Sequence, residues 1–139
     1  MTFPEPSSAP TTPTKKNLRI LYADDTVELC DVVKLVLARD GHVAECVSDG
    51  REALTRLTKD FALFDLVITD HIMPNMEGVE FVTRLRKLPY KGKVIVFSSE
   101  LGQEVSETYE KLKVDKILYK PVFPTELRQV IADLYAPKR

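Results

Sequence analysis

Five polar residues stand where apolar runs of this chain stop: Asp24 and Asp25, Asp70, Ser98 and Lys120. Each alone has an ordinary use. Asp25 followed by Glu28 can cap a helix, Asp70 can open a turn, the Ser98 hydroxyl can satisfy backbone, and Lys120 can be a solvated charge. Together they have a chemistry. Three carboxylates brought close without a cation repel one another and hold each other's proton affinities up. A hard divalent ion resolves that, and Mg²⁺ takes one or two carboxylates with waters and phosphate oxygens. A hydroxyl and an ammonium beside such an ion make a site suited to a trianionic phosphoryl group.

That reading requires elements that bring the five residues together. Leu18 to Ala23 is a short apolar run, and Leu29, Val32, Val33, Val36 and Leu37 follow at the i, i+3, i+4, i+7, i+8 spacing of one helix face. The Arg39-Asp40-Gly41 turn leads to a second run, Val43 to Val47, and a helix carrying Ala53, Leu54 and Leu57 comes next. Leu66 to Asp70 is dense in Val and Ile, as a strand buried on both faces is. Pro74, Asn75 and Gly78 punctuate the loop after it, before a helix carrying Phe81, Val82, Leu85 and Leu88. Lys93 to Ser98 is the fourth strand and Lys116 to Tyr119 a short fifth. Between them, Gly102 to Lys113 is rich in Glu and poor in apolar positions, which predicts an exposed, mobile helix. Leu127, Val130, Ile131, Leu134 and Tyr135 mark the last helix, with Pro124 in its first turn.

Strands alternating with helices predict an α/β fold with a parallel sheet covered on both faces. Right-handed crossovers favour a five-stranded, doubly wound sheet of flavodoxin-like order 2-1-3-4-5. In that order the first and third strands are neighbours, roughly 4.8 Å apart, so Asp24, Asp25 and Asp70 crowd one corner. Ser98 lies one strand further, and Lys120 is long enough to reach back.

The composition agrees. The chain has 139 residues, enough for one domain with its own core. A formal net charge of -1 gives no basic surface for nucleic acid and no charge-driven membrane contact, so neither is expected as a partner. The stretch 1–16, with Pro4, Pro6, Pro10 and Pro13 among Ser and Thr, is expected to be a disordered tail, and 17–139 the folded domain. That stretch has no apolar segment of a secretory signal, and the chain has none long enough to span a bilayer, so a cytoplasmic protein is expected. Only four residues follow the last helix, which predicts no attached output domain. Cys30 and Cys46 lack metal-ligand spacing and are expected to be free, small buried apolar residues, as suits a reducing compartment.

The runs Leu21-Tyr22-Ala23-Asp24-Asp25, Val67 to Gly78, Val94 to Glu100 and Tyr119-Lys120-Pro121 resemble the receiver domains of two-component response regulators, in the order and spacing of that family and similar to its single-domain chemotaxis-type members. The likeness covers about Asn17 to Tyr135. It implies a signalling module rather than an enzyme. Asp70 would accept a phosphoryl group from the phosphohistidine of a sensor histidine kinase or histidine phosphotransfer protein. Asp25 would bind Mg²⁺ directly, Asp24 through water, and Ile72 through its backbone carbonyl, with Asp70 completing the set. Lys120 would pair with the phosphoryl group, Pro121 would follow through a cis peptide, and Ser98 would move to the phosphoryl oxygen as trigger. Output would run through the fourth helix, fifth strand and fifth helix to a downstream target protein.

Three positions depart from the commonest pattern. Ile117 stands where most receivers carry an aromatic that rotates inward, and Tyr119 is the nearest substitute. Ile72 is apolar where a polar side chain often orients a hydrolytic water, opposite Glu100. His71 is expected on the rim and not as a metal ligand, because Mg²⁺ prefers oxygen. Rival readings fit less well. A haloacid-dehalogenase-type phosphatase needs a second Asp two positions after its nucleophile, where Asp24 is followed by Thr26. A flavodoxin needs a Ser/Thr-rich phosphate cradle after the first strand. A phosphorylation-independent interaction module generally loses the acid pair, the acceptor Asp or the Lys, all present here.

Overall fold

The computed structural model describes residues 17–99 and 102–136. The proposed tail, Glu100 and the last three residues lie outside the described residues. Five strands, β1 (Arg19–Ala23), β2 (Val43–Val47), β3 (Leu66–Asp70), β4 (Lys93–Ser98) and β5 (Lys116–Tyr119), alternate with α1 (Val27–Ala38), α2 (Gly50–Asp60), α3 (Gly78–Leu85), α4 (Gln103–Lys111) and α5 (Pro124–Leu134). The sheet is parallel throughout, in the order β2-β1-β3-β4-β5. This is the doubly wound, flavodoxin-like arrangement expected from the alternation.

The two-residue period of a strand divides the core in two. Leu21, Ala23, Val67, Val94 and Val96 face one side and pack with Ala53 and Leu57 of α2, Phe81, Val82 and Leu85 of α3, and Tyr109 of α4. Ile20, Tyr22, Leu66, Ile68, Ile95, Phe97 and Leu118 face the other side, under Cys30, Val33 and Leu37 of α1 and Leu127 and Ile131 of α5. Every residue of β3, the central strand, is buried. No helix among the described residues is long and apolar enough to cross a membrane.

The helices depart from the sequence reading in informative ways. The face of α1 that reaches the core is Cys30, Val33 and Leu37, whereas Val32 is 49% exposed. Leu29, Val32, Val33 and Val36 instead line one wall of an apolar groove of about 440 Å³, with Val122, Pro124 and Leu127 opposite. The N-cap of α1 is Thr26, without a side-chain cap bond, so Asp25 and Glu28 do not form the capping pair. A reciprocal cap appears at α2 instead: Asp49 accepts from the Glu52 N–H at 2.8 Å, and Glu52 accepts from the Ser48 N–H at 2.6 Å. Pro124 does occupy the first turn of α5. Of the Glu-rich α4, only Tyr109 is buried, as the weak apolar stripe implied.

The cysteines are not free. Cys30 of α1 and Cys46 of β2 are joined as a disulfide, their Cα atoms 6.3 Å apart. The physical reason is topological. The crossover from β1 to β2 lays α1 over those strands, which turns a sixteen-residue separation into side-by-side placement.

Two further contacts fix the segments that connect these elements. Arg86, which follows α3, donates from Nε to the Leu112 carbonyl at 2.8 Å and from Nη2 to the Lys113 carbonyl at 2.7 Å, anchoring the end of α4. Gly50 opens α2 directly beneath the loop after β3: a Cβ there would lie 2.7 Å from the Met76 carbonyl oxygen and 3.0 Å from the Phe81 Cβ. Replacing Gly by Ala inside a helix ordinarily stabilises by about 0.5–1 kcal/mol. Here the sign should reverse. Gly50→Ala is expected to destabilise by about 1–3 kcal/mol through overpacking, read as a lower urea midpoint at unchanged m-value; an equal or higher midpoint would show that the loop can yield.

Candidate functional site

All five residues singled out by type and spacing meet at the carboxyl ends of β1, β3, β4 and β5. Asp24 follows β1 and is 4% exposed; Asp25, next to it, is exposed. Asp70 ends β3 and is 4% exposed, and Ser98 ends β4 and is 1% exposed. One carboxylate oxygen from each of Asp24, Asp25 and Asp70 lies within 4.8 Å of the others. Lys120 reaches back from the end of β5 and places Nζ 2.8 Å from Asp70 Oδ1. Its own N–H donates to the Ser98 carbonyl at 2.9 Å, and the peptide bond to Pro121 is cis.

Asp24 is held on every side. Its N–H donates to the Val47 carbonyl at 3.0 Å, its Oδ1 accepts from the Thr26 N–H at 2.9 Å, and its Oδ2 accepts from the Tyr22 hydroxyl at 2.7 Å. Burial, then the hydrogen bond to Asp24, raises the Tyr22 phenol far above its ordinary range, so it stays a donor. Asp70 Oδ1 also accepts from the His71 N–H at 3.1 Å, which is shared with the Phe97 carbonyl at 2.8 Å. Burial raises the Asp70 carboxyl above the ordinary carboxylate range; the Lys120 hydrogen bond opposes this, and the charge of Asp24 adds to it.

The loop after β3 is braced from below. Asn75, in the left-handed region at φ 67°, donates from Nδ2 to Asp49 Oδ2 at 2.6 Å. With the Glu52 N–H first and Asn75 second, these bonds hold the Asp49 carboxyl below the usual carboxylate range. Gly78 donates to the His71 carbonyl at 2.9 Å, and a Cβ on it would lie 2.8 Å from the Asp70 carbonyl oxygen. Ile72 stands on the rim, 55% exposed.

His71 is not on the rim. It is 6% exposed, its ring edge-on to Tyr109 and its Nδ1 2.6 Å from the Tyr109 hydroxyl. The residue after Asp70 points to the opposite face of the sheet, and there it meets the helix that covers that face. Ile117 is half-buried against the same core cluster, and Tyr119 is 39% exposed. Tyr22 and Tyr109 are the site-linked residues that the motifs did not reveal. For Tyr22 the available signal was its place two before Asp24, on the same strand face; for Tyr109 it was the i, i+4 pair with Val105.

The donor set is all oxygen from carboxylates in mutual reach, the chemistry that a hard divalent cation such as Mg²⁺ requires. A response regulator receiver domain model matches residues 20–132. Over 128 residues the chain is 29% identical to the sensory/regulatory protein RpfC of Xanthomonas campestris, covering 89% of this chain but only 17% of RpfC. Its structure is similar to the chemotaxis response regulator CheY4 of Vibrio cholerae, 28% identical with a TM-score of 0.77, covering 84% of this chain and 98% of that one. It is also similar to a CheY-like receiver domain of Methanospirillum hungatei, 29% identical with a TM-score of 0.79, covering 85% and 93%. The chain belongs to the response regulator receiver domain family, a signalling module of two-component systems rather than an enzyme.

A carboxyl whose folded-state proton affinity is raised weakens the fold when it ionises. The penalty develops as pH climbs from the ordinary carboxylate range through the raised folded value, and is complete above it. In the metal-free protein, Asp70→Asn is therefore expected to be more stable than wild type at pH 7. The gain should be of the size common for relaxed functional sites, about 0.5–2 kcal/mol, and should shrink at pH values below the ordinary carboxylate range. Denaturant midpoints at both ends of that range check it; a variant less stable at pH 7 would mean the Lys120 pair outweighs the burial.

Proposed function

We propose that this chain receives a phosphoryl group on Asp70 from the phosphohistidine of a sensor histidine kinase or histidine phosphotransfer protein, in a Mg²⁺-dependent reaction, and changes conformation to signal. The observation that carries the reading is the convergence of three carboxylates with Lys120 2.8 Å from Asp70 at one end of the sheet. Asp25 and Asp70 would hold Mg²⁺ directly, Asp24 through water, and Ile72 through its backbone carbonyl. When bound, the ion offsets the charge of carboxylate and phosphoryl oxygens that must approach one another.

The steps belong to the chain's own groups. An Asp70 carboxylate oxygen attacks phosphorus; the new oxygen–phosphorus bond forms as the nitrogen–phosphorus bond of the phosphohistidine breaks, and the imidazole leaves with its electron pair. Lys120, already paired with Asp70, follows the negative charge outward onto a phosphoryl oxygen. The Ser98 hydroxyl, one strand away, donates to another. Output would pass to a target protein through the face made by α4, β5 and α5. With Ile117 in place of an aromatic, the hydrogen bond between His71 Nδ1 and the Tyr109 hydroxyl is a direct side-chain link between the acceptor segment and α4.

Acetyl phosphate with Mg²⁺ should add one phosphoryl group by intact mass and none to Asp70→Asn. Equal labelling of that variant would sink the assignment. Beryllofluoride with Mg²⁺ should alter amide exchange most across residues 102–113, and Tyr109→Phe should reduce that change severalfold without preventing labelling of Asp70. A response in α4 unaffected by loss of the hydroxyl would place the coupling elsewhere.

A further inference from the structure

Tyr22 sits on the central part of β1, fully buried, paired in register with Cys46 on one side and Ile68 on the other. Its ring is tilted against Phe97, with centroids 5.9 Å apart. Packing alone at such a position asks only for an apolar side chain. The hydroxyl does something more: it lies under the acid corner and donates to Asp24 Oδ2, while the Thr26 N–H donates to Oδ1. Two donors on the two oxygens fix the plane of a carboxylate whose terminal torsion is otherwise soft. Each oxygen still has a lone pair to spare.

We infer that Tyr22 is a positioning residue for the metal site, whose hydroxyl holds the Asp24 carboxylate in the orientation from which it takes part in binding Mg²⁺. This rests on the proposed reading of the site as a Mg²⁺ centre. The chemistry of the donor matters. Lys120 already supplies a cation to Asp70, and a second cation at Asp24 would compete with the metal for the same charge. A phenol offsets part of the carboxylate's charge and fixes its direction while remaining neutral. Phenylalanine would keep the packing against Phe97 and lose only the donor.

The test is Mg²⁺ binding to the metal-free protein, by calorimetry or by amide chemical shifts, in wild type and Tyr22→Phe, with urea midpoints read in parallel. Mg²⁺ affinity should fall about tenfold, the lower end of what loss of an outer-shell partner costs. In acetyl phosphate labelling, the Mg²⁺ concentration for half-maximal rate should rise by the same factor, and the maximal rate should change much less. A residue that only fills the core would change the urea midpoint and leave Mg²⁺ affinity alone. In an Asp24→Asn background, where the carboxylate is gone, adding Tyr22→Phe should alter affinity less than about twofold. If wild type binds Mg²⁺ and Tyr22→Phe binds it within twofold as well, the inference is overturned while the reading of the site stands. If wild type itself binds no Mg²⁺ at millimolar concentration, the reading of the site falls, and the inference with it.

Discussion

Everything at the working end of this molecule follows from placing three carboxylates in mutual reach at one corner of the sheet. The sheet order forces it: β1 and β3 are adjacent, both end in acid, and two of the three acids are buried. Lys120 is drawn across the top of the sheet to Asp70, Thr26 and Tyr22 turn donors toward Asp24, and the His71 N–H splits itself between Asp70 and the backbone of β4. These contacts are the molecule's internal answer to a repulsion that a divalent ion would answer more fully.

The fold was legible because one period governs each element. Continuous apolar runs in β1, β3 and β4, helical stripes between them, and turn residues at each junction leave few arrangements. The five residues of the site were legible too, since strand ends are where such a sheet exposes its chemistry. What the sequence hid were contacts that join different elements. Cys30 and Cys46 pair only because a crossover helix lies over the strands it connects. His71 is expected on the rim, but the strand's alternation carries it through to the other face, where it meets Tyr109. Thr26, rather than Asp25, holds the N-cap position of α1, without a side-chain cap bond, and its own N–H goes to Asp24.

The same central location explains why glycine is needed close by. The loop after β3 runs so near to both α2 and the end of β3 that Gly50 and Gly78 leave no space for a side-chain carbon. With Asn75 tied to the α2 cap, that loop is pinned at three places. Ile72 is left standing clear of the packed residues, on the solvent side of the site.

The Arg86 guanidinium gives α4 a fulcrum. By gripping the carbonyls of Leu112 and Lys113 it fixes the helix at the end remote from the acid corner, and Tyr109 holds a point one turn in. Any displacement of α4 that preserves the Arg86 bonds is a rotation about that fixed end rather than a translation. The arc then grows along the axis, smallest near Lys111 and largest near Gln103. A shift of the segment after β3 too small to notice in the sheet would thus be magnified along the helix, as a short arm moves a long one.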